Sequence, residues 1–374
     1  MMVVKAIVAL GAACLAVASW SQSVLFINPG LASEAFWWTS TQAMQAAAND
    51  LGMRLETVYL ERKHQRLIDE ATRVAALPKA QRPDYVIMVN EGGAGLEALR
   101  ILNGVGQRVL FAYSAFSQVA ERQKAGRPRG MYPMWLASLE PVAEEAGYLT
   151  AKALIEAGRQ RGLRAPDGKL HVLAFSGDRT TPTSIKRGIG MRHAVAEATD
   201  VVVDQEVFAG FNADKAREKA AWLYRRHPKA RLVWAGNDLM AFGAMQEWER
   251  LGGVPGRDML FSGVNTSEQA VAAVRSGRLS ALAGGHFILG AWAMVMLHDH
   301  HHGKDFANDE GVELNVSMFT LFSSKDAERF NQRYAAGQFD GIDFRRFSKV
   351  YQPQLRRYDF SFRQLLQDNA VRSQ

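Results

Sequence analysis

Three aromatic side chains, Phe36, Trp37 and Trp38, follow the first apolar run of the chain, with Ser33 just before them. An aromatic face stacks on the C–H face of a sugar-like ring, while hydroxyls beside it bond the ring's oxygens. Polar groups recur after the later apolar runs. Asn90 follows Tyr85-Val86-Ile87-Met88-Val89, and Tyr113 and Ser114 follow Val109-Leu110-Phe111-Ala112. Beyond Ser176 come Asp178, Arg179, Thr181 and Thr183, with Arg187 one turn further on. Asn237-Asp238 and Asn265 close two more runs. Amides, hydroxyls and arginines can bond a neutral polyol from several directions. The same residue types cap helices, and Asp238 is as well suited to a cap or a hinge as to a ligand.

Catalytic patterns are missing from the sequence. There is no G-x-S-x-G, no H-E-x-x-H and no P-loop. Glu91 and Asp178 are the one carboxylate pair worth naming for glycoside hydrolysis. The expectation is a binding protein, not an enzyme, with no cofactor. The run His298-Asp299-His300-His301-His302 places two imidazoles at i and i+4, a spacing that can hold zinc. No third ligand is placed by the sequence. The preferred reading is a polar helix end before Gly303, with no metal.

These residues need strands to carry them. From Ser23 onward, short continuous apolar runs alternate with amphipathic stretches at helical spacing. Thr39 to Leu51 reads as a helix with Gly52 at its C-terminal cap, so the three aromatics fall in the preceding loop. The rhythm restarts at His171 and runs to Ser262, with Leu136 to Glu140 between the halves. Apolar strands between helices imply parallel sheets covered on both faces. The fold class is therefore α/β with two Rossmann-like lobes. Ligands of such sheets bind beyond the carboxyl ends of the strands, which is where the polar groups lie.

Length and composition agree. The 374 residues are 48% hydrophobic, enough for two cores. Residues 1–22 carry Lys5, an apolar run and Ala16-Val17-Ala18, the layout of a cleaved secretory leader. The single cysteine, Cys14, lies within it, leaving a mature chain without thiols. The apolar stretch Phe287 to Leu297 is too short to span a bilayer and reads as a buried helix. Net charge is +7, but the basic residues are spread along the chain without a concentrated stripe. Nucleic acid is therefore not an expected partner.

The segment Trp234-Ala235-Gly236-Asn237-Asp238-Leu239-Met240-Ala241-Phe242-Gly243-Ala244 resembles the Asn-Asp stretch of the periplasmic binding proteins of the ribose-binding type, kin in fold to LacI-type repressors. Phe261-Ser262-Gly263-Val264-Asn265 and Lys186-Arg187-Gly188 resemble two further segments of that family, and the resemblance covers roughly residues 23–322. It implies stacking by Phe36 and Trp37, hydrogen bonds from Asn90, Arg187 and Asn237, and a second-lobe aromatic at Phe211. Tyr113 and Ser114 stand where the family's sugar binders have Asp-Arg, and Asn265 where they have Asp. The loop Asn28-Pro29-Gly30, with Ser33 and Phe36-Trp37, is closer to autoinducer-2 receptors of the same fold. The candidate ligand set is completed by Thr183 and His286.

The resemblance also implies a hinge of three crossovers, near 136–138, His286 and Lys304. The expected N-terminal lobe is 23–137 with 287–304, and the C-terminal lobe 138–286 with 305–324. Residues 325–374 extend past the family's usual end and are expected to wrap one lobe. On that resemblance a small sugar-like ligand is expected to close the lobes in the periplasm, and an ABC importer of the inner membrane is expected to read the closed form. The alternatives are a ligand-sensing subunit for a membrane kinase, chemoreceptor or cyclase, and a carbohydrate-active enzyme. A LacI-type transcription factor would need a helix-turn-helix before Val24, where a leader is expected instead.

Overall fold

The computed structural model describes residues 22–334 and 337–367. The first half runs β1 (Ser23–Asn28), α1 (Ala35–Leu51), β2 (Arg54–Tyr59), α2 (Gln65–Ala76), β3 (Tyr85–Met88), α3 (Gly95–Gly104), β4 (Val109–Ala112), α4 (Val119–Ala125) and β5 (Trp135–Pro141). The second runs α5 (Ala143–Gln160), β6 (Leu170–Ser176), α6 (Pro182–Ala196), β7 (Val201–Phe208), α7 (Ala213–Arg226), β8 (Leu232–Ala235), α8 (Asp238–Arg250), β9 (Leu260–Val264), α9 (Glu268–Arg275) and β10 (Ala281–Gly284). The chain then returns through α10 (Leu289–His301) and β11 (Glu313–Val316), crosses again to β12 (Thr320–Leu321), and ends with α11 (Ser324–Tyr334) and α12 (Phe362–Gln367).

Two six-stranded sheets result, in the orders β11-β5-β4-β3-β1-β2 and β12-β10-β9-β8-β6-β7. All pairings are parallel except β10 with β12. The central strands β3, β4, β6 and β8 are buried along their whole length, as sheets covered on both faces require. The expected two-lobed α/β architecture is the one observed.

Several boundaries move. The expected leader lies outside the described residues, except that Gln22 is buried and donates its side-chain amide to Leu297 O at 2.9 Å. Residues 136–140 are part of β5, and the lobes separate at its end. β11 pairs with β5 in the first sheet, so the third crossover is Ser317–Phe319 and not the neighbourhood of Lys304. The pairing decides the boundary, because hydrogen bonds to β5 fix residues 313–316 in the N-terminal lobe.

α1 begins at Ala35, four residues earlier than the sequence pattern suggests. Aromatics are weaker helix formers than alanine, yet burying Trp37 in the lobe core outweighs that preference. Among the described residues no helix is long and apolar enough to cross a membrane. The apolar stretch before Gly303 is α10, buried from Leu289 to Asp299. One side packs on α1. The other is covered by the C-terminal extension, where Phe344, Phe347 and Phe360 surround Trp292 at ring separations of 4.7–5.8 Å.

That extension wraps both lobes, not one. α11 packs on α9 of the C-terminal lobe and pairs Glu328 with Arg275 at 2.7 Å. Residues 344–360 lie on the N-terminal lobe. There Asp299 accepts hydrogen bonds from Ser348 Oγ, Lys349 N at 2.7 Å and Tyr358 Oη at 3.0 Å. α12 returns to the hinge, with Phe362 against Phe287 and Phe322.

The candidate ligand cleft

The carboxyl ends of both sheets face one cleft of about 520 Å³, its open mouth included. Its walls hold Phe36, Trp37, Tyr113, Ser114, Thr183, Arg187, Phe211, Asn237, Asn265 and His286 from the expected set. Two expected members are elsewhere. Ser33 is exposed and does not line the cleft. Asn90 is fully buried behind it; its Oδ1 accepts from Gly95 N and its Nδ2 donates to Ala115 O, both at 3.1 Å. It holds the β3–α3 loop to the end of β4, a structural task that a buried amide at a strand end performs as readily as ligand contact. Trp38 is also outside, packed beside Gly337 of the extension.

The aromatic walls are interlocked. Phe36 meets Trp37 edge-on at 4.8 Å and Tyr113 edge-on at 5.9 Å, and stacks on His286 at 4.6 Å. Tyr113 spends its hydroxyl on the backbone, donating to Phe287 O and accepting from Gly290 N, each at 2.9 Å. Burial pushes its phenol pKa up, so it stays protonated. It therefore offers the cleft a ring and ties β4 to the second crossover. Tyr113, Phe211 and Asn265 all have positive φ, at 66°, 56° and 108°. Strained backbone of this kind persists only where its surroundings over-determine it, and it gathers at functional sites.

Arg187 is placed by helix contact. α5 and α6 touch backbone to backbone through Gly147 and Gly190. A Cβ at Gly147 would stand 1.9 Å from Arg187 O, and one at Gly190 1.9 Å from Glu144 O. The buried guanidinium donates from Nη1 to Gly236 O at 2.7 Å and lies 2.9 Å from His286 Nε2 through Nη2. Burial lowers its pKa to about 10, against the pull of Asp238, so it remains a cation at neutral pH. Asn237 caps α8, its Oδ1 accepting from Met240 N at 2.9 Å. Asp238 holds Asn265 through Nδ2 at 2.8 Å and also accepts from Ser267 Oγ, so it is a scaffold for the cleft.

Glu34, Arg62 and Pro141 also line the cleft without having been singled out from the sequence, and Thr181, named there among the polar groups after β6, lines it too. Arg62 pairs with Glu34 and reaches Glu91 at 3.0 Å. Burial raises the pKa of Glu91 although Arg62 opposes it. The signal for Arg62 was available, since it follows β2 at the same strand ends that supplied the others. Of the two carboxylates named from the sequence, Glu91 lines the cleft and Asp178 does not. Asp178 accepts from Thr180 N, Thr181 N and Thr181 Oγ1 and shapes the loop into α6.

Four buried polar atoms on the walls have no partner among the described residues: Trp37 Nε1, Ser114 Oγ, Arg187 Nε and His286 Nδ1. Buried polar groups are rarely left unpaired. The lobes meet around them. Gln118 Nε2 donates to Thr180 O at 3.0 Å, Lys186 lies 3.6 Å from Glu140, and the Arg62 guanidinium lies 5.9 Å from the Phe211 ring.

A family model described as a periplasmic binding protein domain matches residues 136–305. Among solved structures, a periplasmic sugar-binding protein from Pseudomonas fluorescens is 37% identical, with a TM-score of 0.82 over 93% of this chain and 100% of that one. An ABC transporter solute-binding protein from Actinobacillus succinogenes with bound D-allose shares the fold at 18% identity, a TM-score of 0.68, and coverage of 82% and 99%. So does the arabinose-binding component from Shewanella sp. ANA-3 bound to L-arabinofuranose, at 18%, 0.67, and 84% and 98%. No curated protein matches the chain.

Proposed function

Because the chain belongs to the periplasmic binding protein family of the ribose-binding type, we propose that its cleft captures one small neutral sugar and that lobe closure presents it to an ABC importer. The observation that carries this is the set of four unpartnered polar atoms between aromatic walls, three of them N–H donors. A polyol supplies acceptor oxygens to such donors and a C–H face to Phe36 and Phe211. The charges around the cleft favour a neutral ligand. Arg62 is balanced by Glu34 and Glu91, and Arg187 feels Asp238 behind it. An anionic sugar acid would have to displace one of these carboxylates.

Closure follows from differential affinity. Phe36, Trp37 and Ser114 belong to one lobe and Arg187, Phe211 and Asn237 to the other, so a ligand touching both favours the closed state. Export by cleavage of the leader places this cycle in the periplasm. No step of it transforms the ligand.

The test is a thermal-shift screen of the mature chain against D-allose, L-arabinose, D-tagatose, myo-inositol and autoinducer-type furanosyl compounds. A sugar at 100 times its Kd adds about 2.7 kcal/mol of stability. Arg187→Ala is expected to weaken the best binder by about 1–3 kcal/mol, the cost of a buried polar partner left unpaired. A screen without any shift, or an Arg187→Ala variant that binds as the parent does, defeats the assignment.

A further inference from the structure

His286 stands at the second crossover, where the chain leaves β10 for α10. Its ring stacks on Phe36 of α1 at 4.6 Å and lies 4.7 Å from Phe319 of the third crossover. The imidazole is thus clamped between the N-terminal lobe and the hinge. Arg187, from the C-terminal lobe, brings Nη2 to 2.9 Å from Nε2. A guanidinium has donors only. The contact therefore needs a lone pair on Nε2, which leaves the ring neutral with its proton on Nδ1. Nδ1 is buried and has no partner among the described residues, although His286 lines the cleft.

We infer that His286 is a specificity-determining donor, locked as the Nδ1–H tautomer by Arg187, and that this N–H reads an acceptor oxygen on the bound sugar. The inference rests on the sugar-binding reading of the cleft. It makes a ligand oxygen at this position a requirement, because an apolar group there leaves the N–H buried and unpaired.

A consequence separates this role from simple packing. Protonating Nε2 sets two cations nitrogen to nitrogen in a buried site. Burial, and then Arg187, already hold the imidazole well below its ordinary range. Parting of the lobes relieves that burial and shifts the ring's pKa upward. A ring protonated in the open form must lose its proton on binding, so affinity falls as pH drops. The charged group acting directly on the ring is Arg187 from α6; Glu34, Arg62 and Glu91 line the same cleft, and Asp238 acts on Arg187 from behind. Phe36, Tyr113 and Phe319 are uncharged. Glu91, raised by burial, titrates in acid as well, so the pH profile is assigned by variants of His286.

The experiment uses the full mature chain with isotope-labelled histidine, His286→Asn identifying the resonance. At pH 7.5 the ring is expected to be neutral and protonated on Nδ1; an Nε2–H or charged ring overturns the inference. Calorimetry then follows D-allose, L-arabinose and D-tagatose from pH 7.5 to 5.0. The parent is expected to weaken several-fold over that range, the direction set by the lowered pKa of the closed site. His286→Leu is expected to bind about tenfold more weakly at pH 7.5 with a flatter profile, the loss of one buried hydrogen bond. His286→Asn restores a non-titrating N–H near the Nδ1 position, so it recovers most of that loss and keeps the flatter profile. Parental affinity in His286→Leu, or the parental pH profile in His286→Asn, overturns the inference while leaving the sugar reading intact. Absence of binding by all three sugars in the parent overturns the sugar reading, and the inference with it.

Discussion

Replacing Asp299 by alanine is expected to release the C-terminal extension from the N-terminal lobe. The carboxylate is fully buried at the end of α10 and accepts from Ser348 Oγ, Lys349 N and Tyr358 Oη. Burial pushes its pKa up, but hydrogen bonds from His298, Ser348, Lys349 and Tyr358 outweigh that and hold it below the ordinary carboxylate value. Alanine leaves three donors from one segment without an acceptor. Bonds to a charged group are worth roughly 1.5–3 kcal/mol each, but they share one carboxylate and do not add. Breaking a buried charged network by removing one partner costs about 3–5 kcal/mol, and that is the loss expected in urea unfolding. Asn keeps one acceptor oxygen and is expected to cost about half as much. Limited proteolysis gives the second readout, since cleavage within residues 344–360 should accelerate in the alanine variant. The sign with pH is fixed by the depressed pKa. The carboxylate's contribution is full above the unfolded value of about 3.9 and fades as pH falls through the folded one. A loss below about 1 kcal/mol, with the extension still protected, would refute the anchoring role.

Two further outcomes follow from single residues. Gly285→Ala is expected to cost about 1–3 kcal/mol in urea unfolding, because φ is +112° and a Cβ would stand 2.4 Å from Phe362 Cδ1 and 2.8 Å from Met318 O; a neutral effect would show that α12 can withdraw from the hinge freely. His171 lies between Asp204 at 2.8 Å and Asp167 at 3.0 Å; burial lowers its pKa, but the hydrogen bonds to Asp204 and Asp167 raise it overall. Its stabilising effect is then full below about pH 6.5 and fades as pH rises through the folded pKa, so the parent's advantage over His171→Gln should shrink between pH 6 and pH 9, and a constant difference would contradict the ion pair.

How much of this was legible depended on the range of the interaction. The strands and their ends are set by local pattern, so the doubled α/β rhythm and the polar groups at the strand ends followed from it, while Phe211 came from the resemblance; ten of the twelve candidates line the cleft. Ser33 and Asn90 are the two that do not line it. Residue type at a strand end does not say which way the side chain turns, and Asn90 turns back to Gly95 N and Ala115 O. Arg62 was overlooked because β2 is the edge strand, and its partners Glu34 and Glu91 come from the loops after β1 and β3. Parallel order brings the three loops together, although the two glutamates are 57 positions apart in the chain.

The His298–His302 run shows the same limit from the other side. Read along the helix, i and i+4 imidazoles suggest a metal site. In the fold, His298 and His302 lie ring to ring at 4.3 Å, and His302 Nδ1 is 2.8 Å from His298 O. The residue that matters is the carboxylate between them in sequence, and its partners are 49 to 59 residues away. No local pattern encodes a contact of that span. It becomes intelligible only once α10 is seen to be apolar on every face, because such a helix must be covered on the side that α1 leaves open. The aromatic-rich extension is what covers it, and Asp299 is the polar point that sets its register there. The segment is thereby fixed to the N-terminal lobe, to α9 through Arg275 and to the crossover at Gly285, so the closed arrangement is held by the extension as well as by the three chain crossovers.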